Sequence, residues 1–370
     1  MQGISLTLRM DEEMEEEITE EIFSFVAPRA RMALPQRGTL REMLLGGRAS
    51  ELVPLLTVPV RPRRPLPALG HQSDDALTFS NLPTEIHCLV FDHIEYIEDT
   101  ICLGFTNKYF LILAQRYLDD YYMSFFGTWS GENIVCVGDD VEPDDYPARL
   151  FSTEELDNLR PLRTNVLRGD IVRCNTPFAL SHFADPSVSD IEDFVDPIAE
   201  ARRLLKYCKS LGKGKDPEFA ARGWRIIPGE STYCPEDQPW ILRNLTTKEF
   251  VRPEPIAIKP EYIHGPKIWL VGFGEVVMLR TCWSSAPSNV RINNTIGPPR
   301  GVWAGHRFDI TTLAEHEGGI DSAEWTDVSD EVAREISEVW LREFGYDIRK
   351  DLRLWYLRRP NRGFLDIMPP

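Results

Sequence analysis

Between Ser80 and Tyr122 apolar residues recur at three- and four-residue steps, interrupted twice by short polar links. That period puts them on one side of a helix. Pro83 suits a first turn, where its missing N–H costs no hydrogen bond, and Ile86, Leu89, Val90 and Ile94 then follow on one face. A second helix is predicted over residues 98–105 with Ile101, Cys102 and Phe105 inward. A third runs from Asn107 to about Tyr121 with Tyr109, Phe110, Leu113, Ala114, Tyr117 and Leu118 inward. Links of a few residues keep the three together. A unit of about forty residues is too small to be stable alone, so its surplus apolar surface predicts a partner.

On either side of this stretch the pattern changes. Residues 1–78 read as a disordered tail, with an acidic head, Asp11 to Glu21, and a Pro/Arg-rich remainder containing Arg61-Pro62-Arg63-Arg64-Pro65. Ile18, Ile22 and Phe25 share a helical face, but acids four residues apart repel each other. The basic pentad has the composition of a nuclear-import signal and equally that of a solvated linker.

Beyond Tyr122 strand and helix signals alternate. Ser152-Thr153-Glu154-Glu155 is a capping box that starts a short helix. Asp196-Pro197 opens a longer one carrying Ile198, Ala201, Leu204, Leu205 and Cys208, stopped by Gly212. Strands are predicted over residues 240–243, 249–252, 268–273, 276–283 and 302–310, and a closing helix over 327–344 places Val328, Val332, Ile336, Val339, Trp340 and Phe344 on one side. The predicted class is α+β: a disordered tail (1–78), a three-helix motif (79–121), then a mixed domain with an antiparallel sheet and flanking helices (122–370).

One word occurs twice. Gly127-Thr128-Trp129-Ser130-Gly131 before Ile134 returns as Gly301-Val302-Trp303-Ala304-Gly305 before Phe308. We read these as two equivalent turn–strand corners of one sheet, glycines supplying unusual backbone angles and tryptophans packing. Two copies of so short a word do not establish a repeat.

The net charge of -17 excludes a nucleic-acid binder of the usual kind, which needs clustered Lys and Arg against phosphates. No apolar run approaches the roughly 20 residues that span a bilayer, and the acids of the first thirty residues do not suit a signal peptide. The expectation is a cytoplasmic or nuclear protein with reduced cysteines and no membrane partner. Gly212-Lys213-Gly214-Lys215 lacks the phosphate-loop spacing, and Gly272-Phe273-Gly274 reads as a strand kink or turn. His306, Asp309 and His316-Glu317 fit no metal spacing, and the acidic loop Asp139, Asp140, Glu142, Asp144, Asp145 lacks the glycine and terminal glutamate of a calcium loop. With no nucleophile elbow or zinc-protease helix, the expectation is no enzyme, no cofactor and no metal. Asn244-Leu245-Thr246 and Asn293-Asn294-Thr295 match glycosylation acceptors that an unsecreted chain does not use.

From Leu82 onward the chain resembles an F-box: Leu82-Pro83, Glu85-Ile86, Phe91, Ile94, Asp99, Leu103 and Thr106-Asn107-Lys108. It departs from that pattern at Tyr96-Ile97-Glu98, where many members have a leucine-proline turn, and at Tyr117 or Tyr121 in place of the usual tryptophan. The remainder is similar to uncharacterised fungal F-box-containing proteins, on the phrases from Trp129 to Gly138, Trp240 to Arg252 and Trp303-Ala304-Gly305. The resemblance implies a substrate-recognition subunit. Leu82, Pro83, Ile86 and Leu89 would contact the Skp adaptor of a Skp-cullin-F-box ubiquitin ligase, which brings cullin and RING subunits, while the α+β domain holds a protein substrate. The alternative is a non-catalytic α+β protein-binding module with no ubiquitin-ligase connection.

Overall fold

The computed structural model describes residues 21–62, 79, 82–106, 108–168, 171–191, 230–286, 300–319 and 322–344. The fold is α+β; among the described residues it is built on two larger sheets of mixed strand direction, beside the two-stranded pairs Arg163–Arg168 with Ile171–Pro177 and Ile263–His264 with Lys267–Ile268. The first is five-stranded. Its centre is the hairpin Ile22–Ala27 and Met32–Thr39, flanked by Val135–Gly138 on one side and Asp190–Ile191 on the other, with Cys282–Trp283 at the far edge. The second sheet is four-stranded, with the hairpin Trp240–Asn244 and Glu249–Val251 flanked by Phe308–Thr312 and Thr326–Asp327.

The expected tail is therefore folded from Glu21 to Pro62. Phe23, Phe25 and Ala27 are fully buried on one side of the first strand and Val26 on the other. The helices Leu40–Leu45 and Leu52–Leu56 follow it into the main core. The apolar run is only six residues long and lies between acids and a Pro/Arg stretch, so regional composition hid it. The acidic head before Glu21 and the helix expected after Pro197 lie outside the described residues.

The two sheets share one plan, register included. Val26 pairs with Ala33 and Val135, and Ala33 pairs onward with Ile191 in parallel. Arg243 pairs with Phe250 and Asp309, and Phe250 pairs onward with Asp327 in parallel. Each unit also completes the other's sheet. Cys282, just after the helix Phe273–Thr281, pairs in parallel with Cys136, and Thr57, just after the helix Leu52–Leu56, pairs in parallel with Ile310.

The repeated word sits at this junction. Gly127, Gly131 and Gly305 have left-handed backbones (φ 70°, 82° and 79°), and both tryptophans are buried. Gly131 N donates to Phe308 O at 2.8 Å and Gly305 N to Ile134 O at 2.9 Å, so the turns bind each other reciprocally. They belong to two sheets and not, as the sequence suggested, to one. The body is one α+β unit present twice, and the three helices are an excursion of the first copy between Thr57 and Gly127.

The predicted strand 276–283 is largely the helix Phe273–Thr281. Val276, Val277 and Met278 are all fully buried, and an element buried on every side shows no period that separates helix from strand. Gly272, read as part of a strand kink or turn, is its N-cap, its N–H donating to Glu275 Oε2 at 2.9 Å. Of the predicted strand 302–310 only its end is strand, since residues 301–305 form the turn. The closing helix, Ser329–Phe344, buries Val332, Ile336 and Trp340 as expected, and Ser152 caps Thr153–Leu159.

Candidate protein-docking surface

The three helices of the excursion are Thr84–Asp92, Ile97–Phe105 and Lys108–Phe125. Pro83 turns the chain into the first, its carbonyl accepting from Ile86 N at 3.0 Å and His87 N at 3.3 Å. The unit's own core is Phe91, Phe110 and Ala114, with Ile94, Leu103, Tyr109, Leu113 and Tyr117 packed around it. Gly104 lets two helices touch, since a Cβ there would stand 2.7 Å from that of Ala114.

A polar residue directs the first helix. Buried His87 contacts the Tyr109 hydroxyl at 2.9 Å and the Phe79 carbonyl at 2.7 Å, with its ring edge-on to Phe110 at 4.8 Å. Phe79 in turn stacks on Phe110 at 5.2 Å. The Tyr117 hydroxyl lies 2.8 Å from Asp92 Oδ1 and 3.0 Å from the Cys88 carbonyl. Burial, with the Asp92 carboxylate beside it, raises the Tyr117 pKa above its ordinary value and keeps the phenol protonated.

With His87 and Phe91 inward, the apolar positions next to them must point out. Leu82, Ile86 and Leu89 are 41%, 41% and 52% exposed, and Pro83 is exposed beside them. Steps of four and three residues make these a single stripe, edged by the exposed acids Glu85, Asp92 and Glu95. Of the four residues expected on one face, Ile86 and Leu89 are exposed while Val90 and Ile94 are half-buried. Cys102, expected inward, is exposed, while its neighbour Ile101 is buried.

The other end of the excursion is seated in the body. Leu118 and Tyr122 are fully buried in the main core with Phe126 and Trp129. The Tyr233 hydroxyl donates to Asp119 Oδ1 at 2.8 Å, and Arg61 pairs with Asp120 at 3.1 Å. Four buried or part-buried side chains and two polar ties hold the stripe in fixed relation to both sheets.

The remaining candidates from the sequence do not converge. Asp309 is clamped by Arg243 (2.6 and 2.8 Å), His306 contacts Asn244, and His316 packs against Phe250 and Trp325. Burial pushes the His306 and His316 pKa values down, favouring neutral rings. Asn244 is buried, its Oδ1 accepting from Thr246 N and Thr247 N, so that acceptor sequence is a turn device. In the acidic loop Asp145 takes Arg300 bidentately and Asp144 takes Arg160 at 3.3 Å. The Lys213 loop lies outside the described residues.

Sequence reasoning missed two buried carboxyls. Glu21 is 2% exposed and Glu275 3%, and desolvation raises both pKa values to about 7. Nothing local marks them, because what surrounds them is far away in sequence: Gly138, Asp140 and Ser284 for Glu21, and for Glu275 the segment around Ala49 that packs against the neighbouring Gly274. Among the described residues, no helix is long and apolar enough to cross a membrane. No family model, curated protein or solved structure matches the chain.

Proposed function

We propose that this chain is a non-enzymatic F-box adaptor. The three-helix excursion docks on the Skp subunit of a Skp-cullin-F-box ubiquitin ligase, and the two-unit body holds a protein substrate for modification by cullin-bound partners. One observation carries the reading: Leu82, Pro83, Ile86 and Leu89 form an exposed apolar stripe on a unit whose other large apolar side chains are mostly covered. A partner that buries such a stripe gains hot-spot contacts of about 2 kcal/mol each. Because the stripe's base is seated in the core, adaptor and substrate would be held at a fixed separation.

The test is a binding titration of the full chain with purified Skp adaptor. We expect Leu82→Ala with Pro83→Ala to weaken binding by more than tenfold. Thermal unfolding should barely move, because both side chains are already in solvent. Wild-type binding that survives the double substitution, or no wild-type binding, would overturn the proposal. In the latter case hydrogen exchange over residues 82–118 unchanged by adaptor would favour a binding module outside the ligase.

A further inference from the structure

We propose that Glu21 is a proton-operated latch between the two units: protonated, it fastens the start of the first strand to Ser284 of the second unit, and ionised, it releases that seam. Glu21 stands two residues before Phe23, at the open end of the first hairpin, and is almost wholly buried. Its Oε1 lies 2.7 Å and its Oε2 2.8 Å from the Ser284 hydroxyl, which is itself fully buried. Ser284 follows directly on the two-residue strand by which the second unit completes the first sheet.

Hydrogen counting decides the state of the seam. A serine hydroxyl offers one hydrogen and accepts through two lone pairs. Ser284 Oγ already accepts from Ala286 N at 3.1 Å, and it faces both carboxyl oxygens. All contacts are satisfied together when Ser284 donates to one oxygen and a carboxyl O–H on the other donates back. Asp140 N adds a bond to Oε1 at 3.2 Å.

The surroundings favour the same state. The titratable groups facing Glu21 are Asp139 and Asp140 from the turn after Val135–Gly138 and Cys136 on that strand, whose thiol is in turn hydrogen-bonded to Cys282. Three carboxylates gather within 4.8 Å, Asp139 accepting from Ile22 N at 3.0 Å. Among the described residues no cation pairs with Glu21; the nearby Arg300 is committed to Asp145. Burial, with the Asp140 and Asp139 carboxylates beside it, outweighs the bonds from Ser284 and Asp140 N and pushes the Glu21 carboxyl to about 7, so the latch would work across neutral pH.

The second unit supplies the control. Two residues before Trp240, the counterpart of Phe23, stands Gln238, which is exposed and cannot ionise. Local opening at Ile22, Asp140 and Ala286 should therefore depend on pH, and opening at Leu242 and Asn244 should not.

Hydrogen exchange on the full chain, corrected for intrinsic rates, tests this. Between pH 5 and pH 8 we expect the opening equilibrium at Ile22, Asp140 and Ala286 to rise roughly 50- to 100-fold. In Glu21→Gln it should be flat and as low as the wild type at pH 5. A flat wild type, or an equal slope in Glu21→Gln, would overturn the latch. Should that variant fail to fold, the wild-type slope decides alone. The infrared carbonyl band of protonated buried acids at pH 6 gives a second reading: it should weaken in Glu21→Gln, and a band unaltered there would count against the latch.

Discussion

The outer faces of the two sheets differ completely on one backbone plan. In the first unit the face shows Val26, Ala33, Val135 and Val137, covered by Phe178, Leu180 and Phe183 from the long connection 139–189. The same four places in the second unit hold Arg243, Phe250, Asp309 and Thr311, and the short connection 313–325 covers them with His316 and Trp325. The inner faces, by contrast, are alike: Phe25 and Cys136 in one, Leu242 and Ile310 in the other, all buried. The fold is specified by the inner layer and by the reciprocal turns, while the outer layer follows whatever covers it. An apolar face needs a large apolar cover, and a small cover is enough only where the face satisfies its own charges.

The largest effect should come where the units touch. Counting back equally from Thr57 and Cys282, Ala49 and Gly274 occupy equivalent places, and a Cβ on Gly274 would collide with the Ala49 backbone oxygen. Gly274→Leu should abolish cooperative unfolding, because backbone cannot move aside as a flexible side chain does. Ala49→Gly should cost only about 1 kcal/mol, which denaturant unfolding will show. If Gly274→Leu unfolds like the wild type, the crossing is not what holds the units together.

Next comes the outer layer. Asp309→Val leaves Arg243 unpaired on a largely buried face, and breaking such a pair costs about 3 kcal/mol or more. The double change Arg243→Val with Asp309→Val copies the first unit's Val26 and Val135 and should recover most of that loss. A double mutant no better than the single would mean that the two outer faces are not interchangeable.

Glu275 distinguishes the crossing helices by charge, since its equivalent in the first unit is Ser50. Its carboxyl titrates at about 7 in the folded chain, raised by burial against the bond from Gly272 N, and at 4.5 unfolded. Below 4.5 it is neutral in both states and costs nothing. As pH rises to 7 the unfolded chain ionises first, so stability falls, by up to about 3 kcal/mol once both states are charged. Glu275→Gln should thus gain midpoint stability over wild type at pH 8 and match it at pH 4. A wild-type advantage at pH 8 would reverse the assignment.

Much of this plan was legible in the sequence. The excursion's three helices, the closing helix with Val332 and Trp340, the hairpin around Asn244 and the repeated Gly-x-Trp-x-Gly word were all readable, because each carries its signal within a dozen residues. The first hairpin was not: Met32–Thr39 contains Pro35 and Gly38, poor strand formers held in place by pairing with a good strand. The repeat was missed for a related reason. Equivalent residues such as Val26 and Arg243 hold the same place in their pairing ladders and share no chemistry, so only register reveals them. At the candidate site the F-box resemblance placed Leu82, Pro83, Ile86 and Leu89 at the surface, and they are exposed; periodicity alone does not turn them outward, because that depends on His87 and its inward bonds to Tyr109 and Phe79.

The smallest contrast lies between the two tryptophans, and it tests the equivalence most finely. Trp303 Nε1 donates to Glu249 Oε2 at 2.7 Å, and its ring lies 4.5 Å from the Arg280 guanidinium. Trp129 is its counterpart, but Met32 stands where Glu249 does and Leu55 where Arg280 does, so the Trp129 indole N–H is buried without an acceptor. Trp303→Phe removes a bonded donor and leaves the Glu249 carboxylate short of one, at a cost of about 1–3 kcal/mol beyond the lost ring volume. Trp129→Phe removes an N–H that was a liability, so only the volume term remains. Parallel denaturant titrations of the two variants should therefore separate by about 1 kcal/mol or more, with Trp303→Phe the weaker. If both lose the same, the second unit's polar substitutions contribute nothing to stability, and the two copies differ in composition alone.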